Sequence, residues 1–173
     1  MLHQEAVKLI KGGVERVPDV QVWIDLGAGS GTFTRAIAEL IGPEGKVYAV
    51  DRNKQILKSI PIAKNGATIV TVAKDFTTNL SLEKADGILI ANALHFVRHK
   101  IPFIEKIKSW LKEGGRILIV EYDIETPNQW IPYPVSFGVL EKISSQAGLS
   151  VEKIGEHPSQ YHEFGMYAAV VKC

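Results

Sequence analysis

Apolar residues in this chain recur with two different periods, and the switching between them predicts its elements. Residues 3–10 set Ala6, Val7, Leu9 and Ile10 among polar neighbours, the pattern of a short amphipathic helix, which Gly12-Gly13 ends. Its expected role is to cover a sheet edge; the alternative is a place beside a ligand-binding mouth. The run Val20 to Leu26 predicts a first strand and Thr32 to Ile41 a helix closed by Gly42-Pro43-Glu44-Gly45. Lys46 to Val50 predicts a second strand ending at Asp51, and Asn53 to Ile60 a helix stopped by Pro61. The β-branched run Ala67 to Val72 predicts a third strand. Ala85 to Ala91 is almost continuously apolar, as in a strand buried on both faces. Ile101 to Leu111 is amphipathic, and Leu111-Lys112-Glu113-Gly114-Gly115-Arg116 breaks it before a fifth strand, Ile117 to Glu121. Thr126 to Pro134 carries three prolines and Trp130, an irregular loop; Val135 to Ala147 is helical and Gly148 stops it. Leu149 to Ile154 and Met166 to Val171 close the chain as strands around a polar loop, Glu156 to Glu163. Alternation of strand and helix predicts an α/β sandwich with a mostly parallel sheet. A single domain over residues 1–173 is expected, with the helix in 1–13 and the core in 20–173; no repeat, linker or low-complexity stretch divides it.

The chemistry begins where the first strand stops. Asp25-Leu26-Gly27-Ala28-Gly29-Ser30-Gly31 joins an apolar strand to a helix through three alternating glycines. Glycine accepts positive φ, and without a Cβ the backbone can touch a ligand. The helix behind the turn aims free N–H groups at that ligand. A plain tight turn would need no more than this, so the neighbours decide. The spacing is G-x-G-x-G, with Thr32 where a dinucleotide loop has its third glycine. Asp25 is awkward beside a pyrophosphate but suits a ligand carrying an ammonium group. Asp51, about 20 residues beyond Gly31, stands at the offset of a ribose-binding carboxylate. It could also cap the helix near Asn53, and the two roles are compatible. Asp25, the glycine loop, Asp51, Asp75 and Asn92 all fall at carboxyl ends of strands one to four, where an open α/β sheet binds ligands.

The string Asp25 to Gly31 closely resembles the glycine motif of class I S-adenosylmethionine (SAM) dependent methyltransferases, and the resemblance extends over nearly the whole chain from about residue 20. It implies a Rossmann-like three-layer sandwich with strand order 3-2-1-4-5-7-6, the seventh strand antiparallel. It implies SAM as cofactor, held by Asp25, Gly27, Gly29, Gly31, Asp51 and Asn92. By the family's pattern Asp75 would meet the adenine amino group and Phe76 pack on the ring. Asn92-Ala93-Leu94-His95-Phe96-Val97 resembles the small-molecule, ubiquinone-biosynthesis-like branch, where a similar Leu-His pair follows the fourth strand. The (Asp/Asn)-Pro-Pro-(Tyr/Phe) signature of enzymes acting on exocyclic or amide nitrogens is not there. His95 is the candidate catalytic base, because imidazole titrates near neutrality; the alternative is a helix-entry residue bonded to backbone. Tyr122 is a candidate for orienting a substrate.

Composition narrows the partners. A hydrophobic fraction of 46% and a charged fraction of 23% over 173 residues describe an ordinary globular chain with a real core. A net charge of +1 provides no field to recruit nucleic acid or an acidic membrane. The single cysteine, Cys173, forms no internal disulfide, and no Cys/His spacing suggests a metal. The apolar run from Gly87 to Val97 holds Asn92 and His95 and is too short to span a bilayer. Met1-Leu2-His3-Gln4-Glu5 lacks the character of a signal peptide, so a cytoplasmic protein is expected. Insertions that could cap an acceptor pocket are few, so the site is shallow and suited to a large substrate, or completed by a second subunit of a homodimer. Trp130, Tyr133 and Tyr161 are candidates to line it. The expected function is methyl transfer to a small or medium organic acceptor. A methyltransferase-like binding or scaffold protein without turnover, and a nucleotide-dependent enzyme of another class, are the alternatives.

Overall fold

The strand before the glycines, β1 (Val22–Leu26), is buried at every position, as a strand covered on both faces must be. The computed structural model describes residues 1–15, 17, 19–61, 66–158 and 165–172. Within them β1 is joined by β2 (Lys46–Asp51), β3 (Thr68–Ala73), β4 (Ala85–Ala91), β5 (Leu111–Tyr122), β6 (Ser150–His157) and β7 (Met166–Lys172). They form one seven-stranded sheet in the order β3-β2-β1-β4-β5-β7-β6. Strand β7 runs antiparallel to both its neighbours, and all other pairings are parallel. The helices are α1 (His3–Ile10), α2 (Thr32–Ile41), α3 (Lys54–Leu57), α4 (Lys100–Lys108) and α5 (Phe137–Gln146).

Alternation along the strands feeds two cores. Ile24, Leu26, Ile88, Ile90, Ile117 and Ile119 pack with Phe103, Ile104 and Ile107 of α4 and Leu140 of α5. Trp23, Leu89, Leu118 and Val120 pack with Ala6, Leu9 and Ile10 of α1 and Phe33, Ala36 and Ile37 of α2. Helices on both faces make the three layers. The chain winds outward from β1 through β2 to β3, then returns to place β4 on the other side of β1. That reversal opens a crevice at the carboxyl ends of β1 and β4.

The structure departs from the sequence expectations at several element ends. Strand β1 starts at Val22 rather than Val20. Helix α3 is a single turn, Lys54–Leu57, capped by Asn53 Oδ1, which accepts from the N–H groups of Gln55 (3.0 Å) and Ile56 (3.2 Å). Asn53 and not Asp51 is therefore the cap. Helix α4 stops at Lys108, because Leu111 leaves it to pair with Ala85. The next pair in register is Gly87 with Arg116, so the Gly114-Gly115 stretch is a bulge inside β5 and not a break before it. Glu156 and His157, expected in a loop, pair with Tyr167 and Met166 at the end of β6. Tyr161, a candidate to line an acceptor pocket, lies outside the described residues. Helix α1 lies against α2 and β6, with Gly155 of edge strand β6 allowing its backbone to approach: a Cβ there would stand 2.7 Å from the carbonyl oxygen of Leu9.

Candidate functional site

The turn after β1 is folded by its own backbone. Gly27 and Ala28 both donate to the carbonyl of Val50 in β2, at 2.8 and 3.0 Å, and Gly31 donates to Ala28 at 2.9 Å. Gly27, Gly29 and Gly31 all have positive φ (82°, 53° and 82°). A Cβ on Gly27 would stand 2.6 Å from that of Ala93, so this glycine lets the β1 and β4 ends approach. Gly29 is different: a Cβ there would meet nothing within 4 Å, because the residue faces the open crevice. One glycine serves packing and the other leaves room.

Asp25 lies beneath this turn and is 1% exposed. Its Oδ2 accepts from the Thr34 hydroxyl of α2 at 2.6 Å, while Oδ1 is buried with no partner among the described residues. Burial drives the carboxyl pKa up to about 7; the Thr34 bond works against that rise, and the charge of Asp51 adds to it. Asp51, at the tip of β2, accepts from Gly29 N–H through Oδ2 (3.0 Å) and from Asn53 N–H through Oδ1 (2.8 Å). It thereby ties the glycine loop to the second strand. Asn92, just past β4, holds φ at 51°. That left-handed conformation is costly for a residue with a Cβ and collects at functional positions. Its Oδ1, like that of Asp25, is buried and has no partner among the described residues.

Asp75 and Phe76 follow β3. Asp75 is exposed, and its Oδ1 accepts from both the N–H (2.8 Å) and the hydroxyl (2.7 Å) of Thr77; these bonds lower its pKa. Phe76 is half-buried, edge-on to Phe103 at 5.8 Å. Two adjoining hollows meet at Gly27 and Asn92, which line both. The first, about 340 Å³, runs over Asp25 and Gly29 toward Tyr122 and Met166. The second, about 600 Å³, runs over Asp51, Asp75 and Phe76 to Phe96. Together they have the dimensions of a site for a nucleoside-sized ligand. Among the described residues no group of three His, Cys, Asp or Glu is placed to hold a metal ion, and no helix is long and apolar enough to cross a membrane.

His95 lies in a 3-10 turn, Leu94–Phe96, and is 3% exposed. It is gripped twice by Glu121, a fully buried carboxylate in β5: Oε1 accepts from its backbone N–H (3.1 Å) and Oε2 is 2.8 Å from ring Nδ1. An Nδ1–H donating to that carboxylate leaves Nε2 as the ring's acceptor nitrogen. The ring lies 4.3 Å from that of Phe96 and 6.5 Å from that of Tyr122. Phe96 and Tyr122 each line a hollow, whereas His95 lines neither.

Residues 19–160 match the family described as "Methyltransferase domain". The chain belongs to that family. Over 117 residues it is 29% identical to the ubiquinone/menaquinone biosynthesis C-methyltransferase UbiE of Pseudomonas aeruginosa, a match covering 61% of this chain and 43% of that protein. The chain thus spans less than half the length of the curated relatives it matches. Its fold is also that of a SAM-dependent methyltransferase from Aquifex aeolicus, with a TM-score of 0.72 at 18% identity over 97% of this chain and 89% of the other. The plantazolicin methyltransferase BpumL, in complex with a monoazolic desmethylPZN analog and S-adenosylhomocysteine (SAH), superposes with a TM-score of 0.70 at 13% identity, over 97% and 82% of the two chains.

In this methyltransferase domain the crevice brings together Asp25, Gly27, Gly29, Asp51, Asp75, Phe76 and Asn92. Gly31 is turned away, its missing Cβ filled by Ile60 at 2.7 Å. Met1, Glu5 and His157, which sequence reasoning did not single out although it gave the first helix a possible place beside a ligand mouth, line one end of the crevice, where Glu5 of α1 lies 3.6 Å from His157 of β6. Nor did sequence reasoning find Glu121. A carboxylate that ends an otherwise apolar strand, Ile117 to Val120, was the available signal.

Proposed function

We propose that this domain transfers a methyl group from SAM to a small organic acceptor. One observation carries the reading: two buried oxygens with no partner among the described residues, Asp25 Oδ1 and Asn92 Oδ1, flank a glycine loop whose middle glycine faces open space. Oxygens in that state call for hydrogen-bond donors from a ligand. SAM fits, since its amino-acid end carries an ammonium group, its ribose two hydroxyls and its adenine an amino group.

In this reading Asp25 faces the ammonium group, and the loop from Gly27 to Gly31 lets the ligand lie against backbone. Asp51 would take the ribose hydroxyls on the lone pairs left beside its two backbone bonds. Asp75 would meet the adenine amino group, with Phe76 against the ring. Bound there, SAM supplies a methyl carbon that forms a bond to an acceptor lone pair or carbanion while the carbon–sulfur bond breaks, its electron pair staying on sulfur and the acceptor's proton leaving. The protein's part is to align the two reactants, worth up to about 7–11 kcal/mol in favourable cases. His95 would receive the acceptor's proton at Nε2, with Glu121 fixing its tautomer and orientation as a positioning residue. A cytoplasmic location, supported by a chain with one cysteine, and an acceptor site completed by a second copy belong to the same proposal.

Calorimetry with SAM, SAH and NAD tests it. SAM and SAH should bind and NAD should not. Gly29→Val should abolish SAM binding, because its side chain enters the space the ligand needs. Gly29→Ala, less strained at the same φ, should weaken binding while folding normally. A folded variant that bound SAM as the wild type does would place the site elsewhere.

A further inference from the structure

Three large aromatic side chains remain exposed in the turn after β4 and the loop after β5: Phe96 at 57%, Trp130 at 73% and Tyr133 at 38%. Phe96 belongs to the turn after β4 and forms part of the crevice wall. Trp130 and Tyr133 lie on the loop after β5, which is pinned to that turn by a bond from Tyr133 N–H to the His95 carbonyl (3.1 Å). The loop is held from within as well. Asn128 Oδ1 accepts from Trp130 N–H (2.8 Å) and Ile131 N–H (2.9 Å), and Ile131 is buried while Trp130 stands out. An indole left outside a well-anchored loop is an unused contact surface.

Beside the Tyr133 ring is a half-buried cation. Lys100 Nζ lies 5.6 Å above the Tyr133 ring and donates to the Val97 carbonyl at 2.9 Å. The residue is half-buried, and burial lowers its pKa. Among the described residues its ammonium is in no ion pair. Glu121, the acid whose charge reaches Lys100, is buried and bonded to the backbone and ring of His95. Arg98, exposed, lies two residues before Lys100 along the chain. A partly desolvated cation at the edge of an aromatic surface gains most from an anion brought in on an apolar body.

We propose that this surface receives the methyl acceptor and that the acceptor is a planar aromatic acid, its ring against Phe96, Trp130 and Tyr133 and its carboxylate on Lys100. The assignment rests on the methyl-transfer reading and adds the substrate class to it. An aromatic amine would meet the Lys100 charge unfavourably, and a neutral aromatic would leave that charge unpaired.

The test uses 2-naphthoate, 2-naphthalenemethanol and 2-naphthylmethylamine as probes, titrated into the full chain with and without SAH. Naphthoate should bind at least tenfold more tightly than the alcohol, and the amine most weakly. Lys100→Met should weaken naphthoate about tenfold and leave the alcohol unchanged, while Trp130→Ala should weaken both. SAH affinity should stay within twofold of wild type in each variant, which also reports that they are folded. Failure of SAH to bind would count against methyl transfer, and the naphthoate arm would still decide the surface. Equal affinity for acid and alcohol, or a Lys100→Met variant that does not distinguish them, would overturn the proposal. Co-sedimentation with phosphatidylglycerol vesicles in place of naphthoate binding would overturn it in favour of a lipid surface.

Discussion

Binding of SAH should depend on pH through Asp25. In the free protein this carboxyl titrates at about 7 instead of its ordinary 3.8, chiefly because it is buried. Asp25 lines the hollow in which we place the ligand's ammonium group, and its Oδ1 has no partner among the described residues. That cation would favour the ionised form and pull the pKa of the complex well below the assay range. Affinity then tracks the fraction of free protein already ionised. It should be about eightfold weaker at pH 6 than at pH 7.5, and about 80-fold weaker at pH 5, with nearly one proton released per ligand at pH 6. The range stops below the point at which an α-amino group loses its own proton. Stability of the free protein should move the opposite way. The unfolded chain ionises near pH 4 and the folded one near pH 7, so Asp25's contribution is fully present below pH 4. It is lost as pH rises to 7, a total of about 4 kcal/mol at 1.36 kcal/mol per pH unit. Titration calorimetry in two buffers of different ionisation enthalpy counts the protons, and thermal melts of the free protein follow the stability. Asp25→Asn should flatten both profiles, bind SAH weakly, and melt higher than wild type at pH 7.5. A wild-type affinity that is level from pH 5 to 7.5 would refute the pairing of Asp25 with a cationic group.

Asp51→Ala should weaken SAM binding by about 1.5–3 kcal/mol, the scale of hydrogen bonds to a charged group. By removing a neighbouring negative charge, it should also move the Asp25 titration below 7; calorimetry across pH checks both, and unchanged affinity would leave Asp51 a purely structural tie. Asn92→Gly should relieve the strained φ and leave the melting temperature level or raised by an amount reflecting about 1 kcal/mol, while SAM affinity falls; a marked drop in melting temperature would make Asn92 a packing residue instead. His95→Ala should lower kcat roughly 10²–10⁴-fold with SAM affinity near wild type. Glu121→Gln should reproduce part of the kcat loss; a loss confined to KM or to SAM binding would show that the pair only frames the pocket.

What the sequence determined by itself is what local chemistry controls. Alternating apolar periods are enough to place all seven strands and the order of helices between them, since each strand must bury its own residues whatever its neighbours. Three glycines between an apolar strand and a helix mark the turn, because few other residues accept positive φ there. Asp51 and Asp75 were legible for a related reason: a charge that closes an apolar run and stays partly in water sits at the rim. Element ends were less so. Leu111 joins β5 because Ala85 offers it a partner, and Glu156 and His157 become strand because Tyr167 and Met166 lie opposite. Those are pairings between distant segments, with no trace in local pattern. The same holds at the crevice. Only the folded chain brings Glu121 to His95 across 26 residues, leaves Asp25 Oδ1 and Asn92 Oδ1 without partners among the described residues, and divides the glycines into one that packs on Ala93 and one that faces the crevice. A carboxylate's pKa depends on which groups surround it in space, so residue spacing could name Asp25 but tertiary packing alone raised its pKa to about 7.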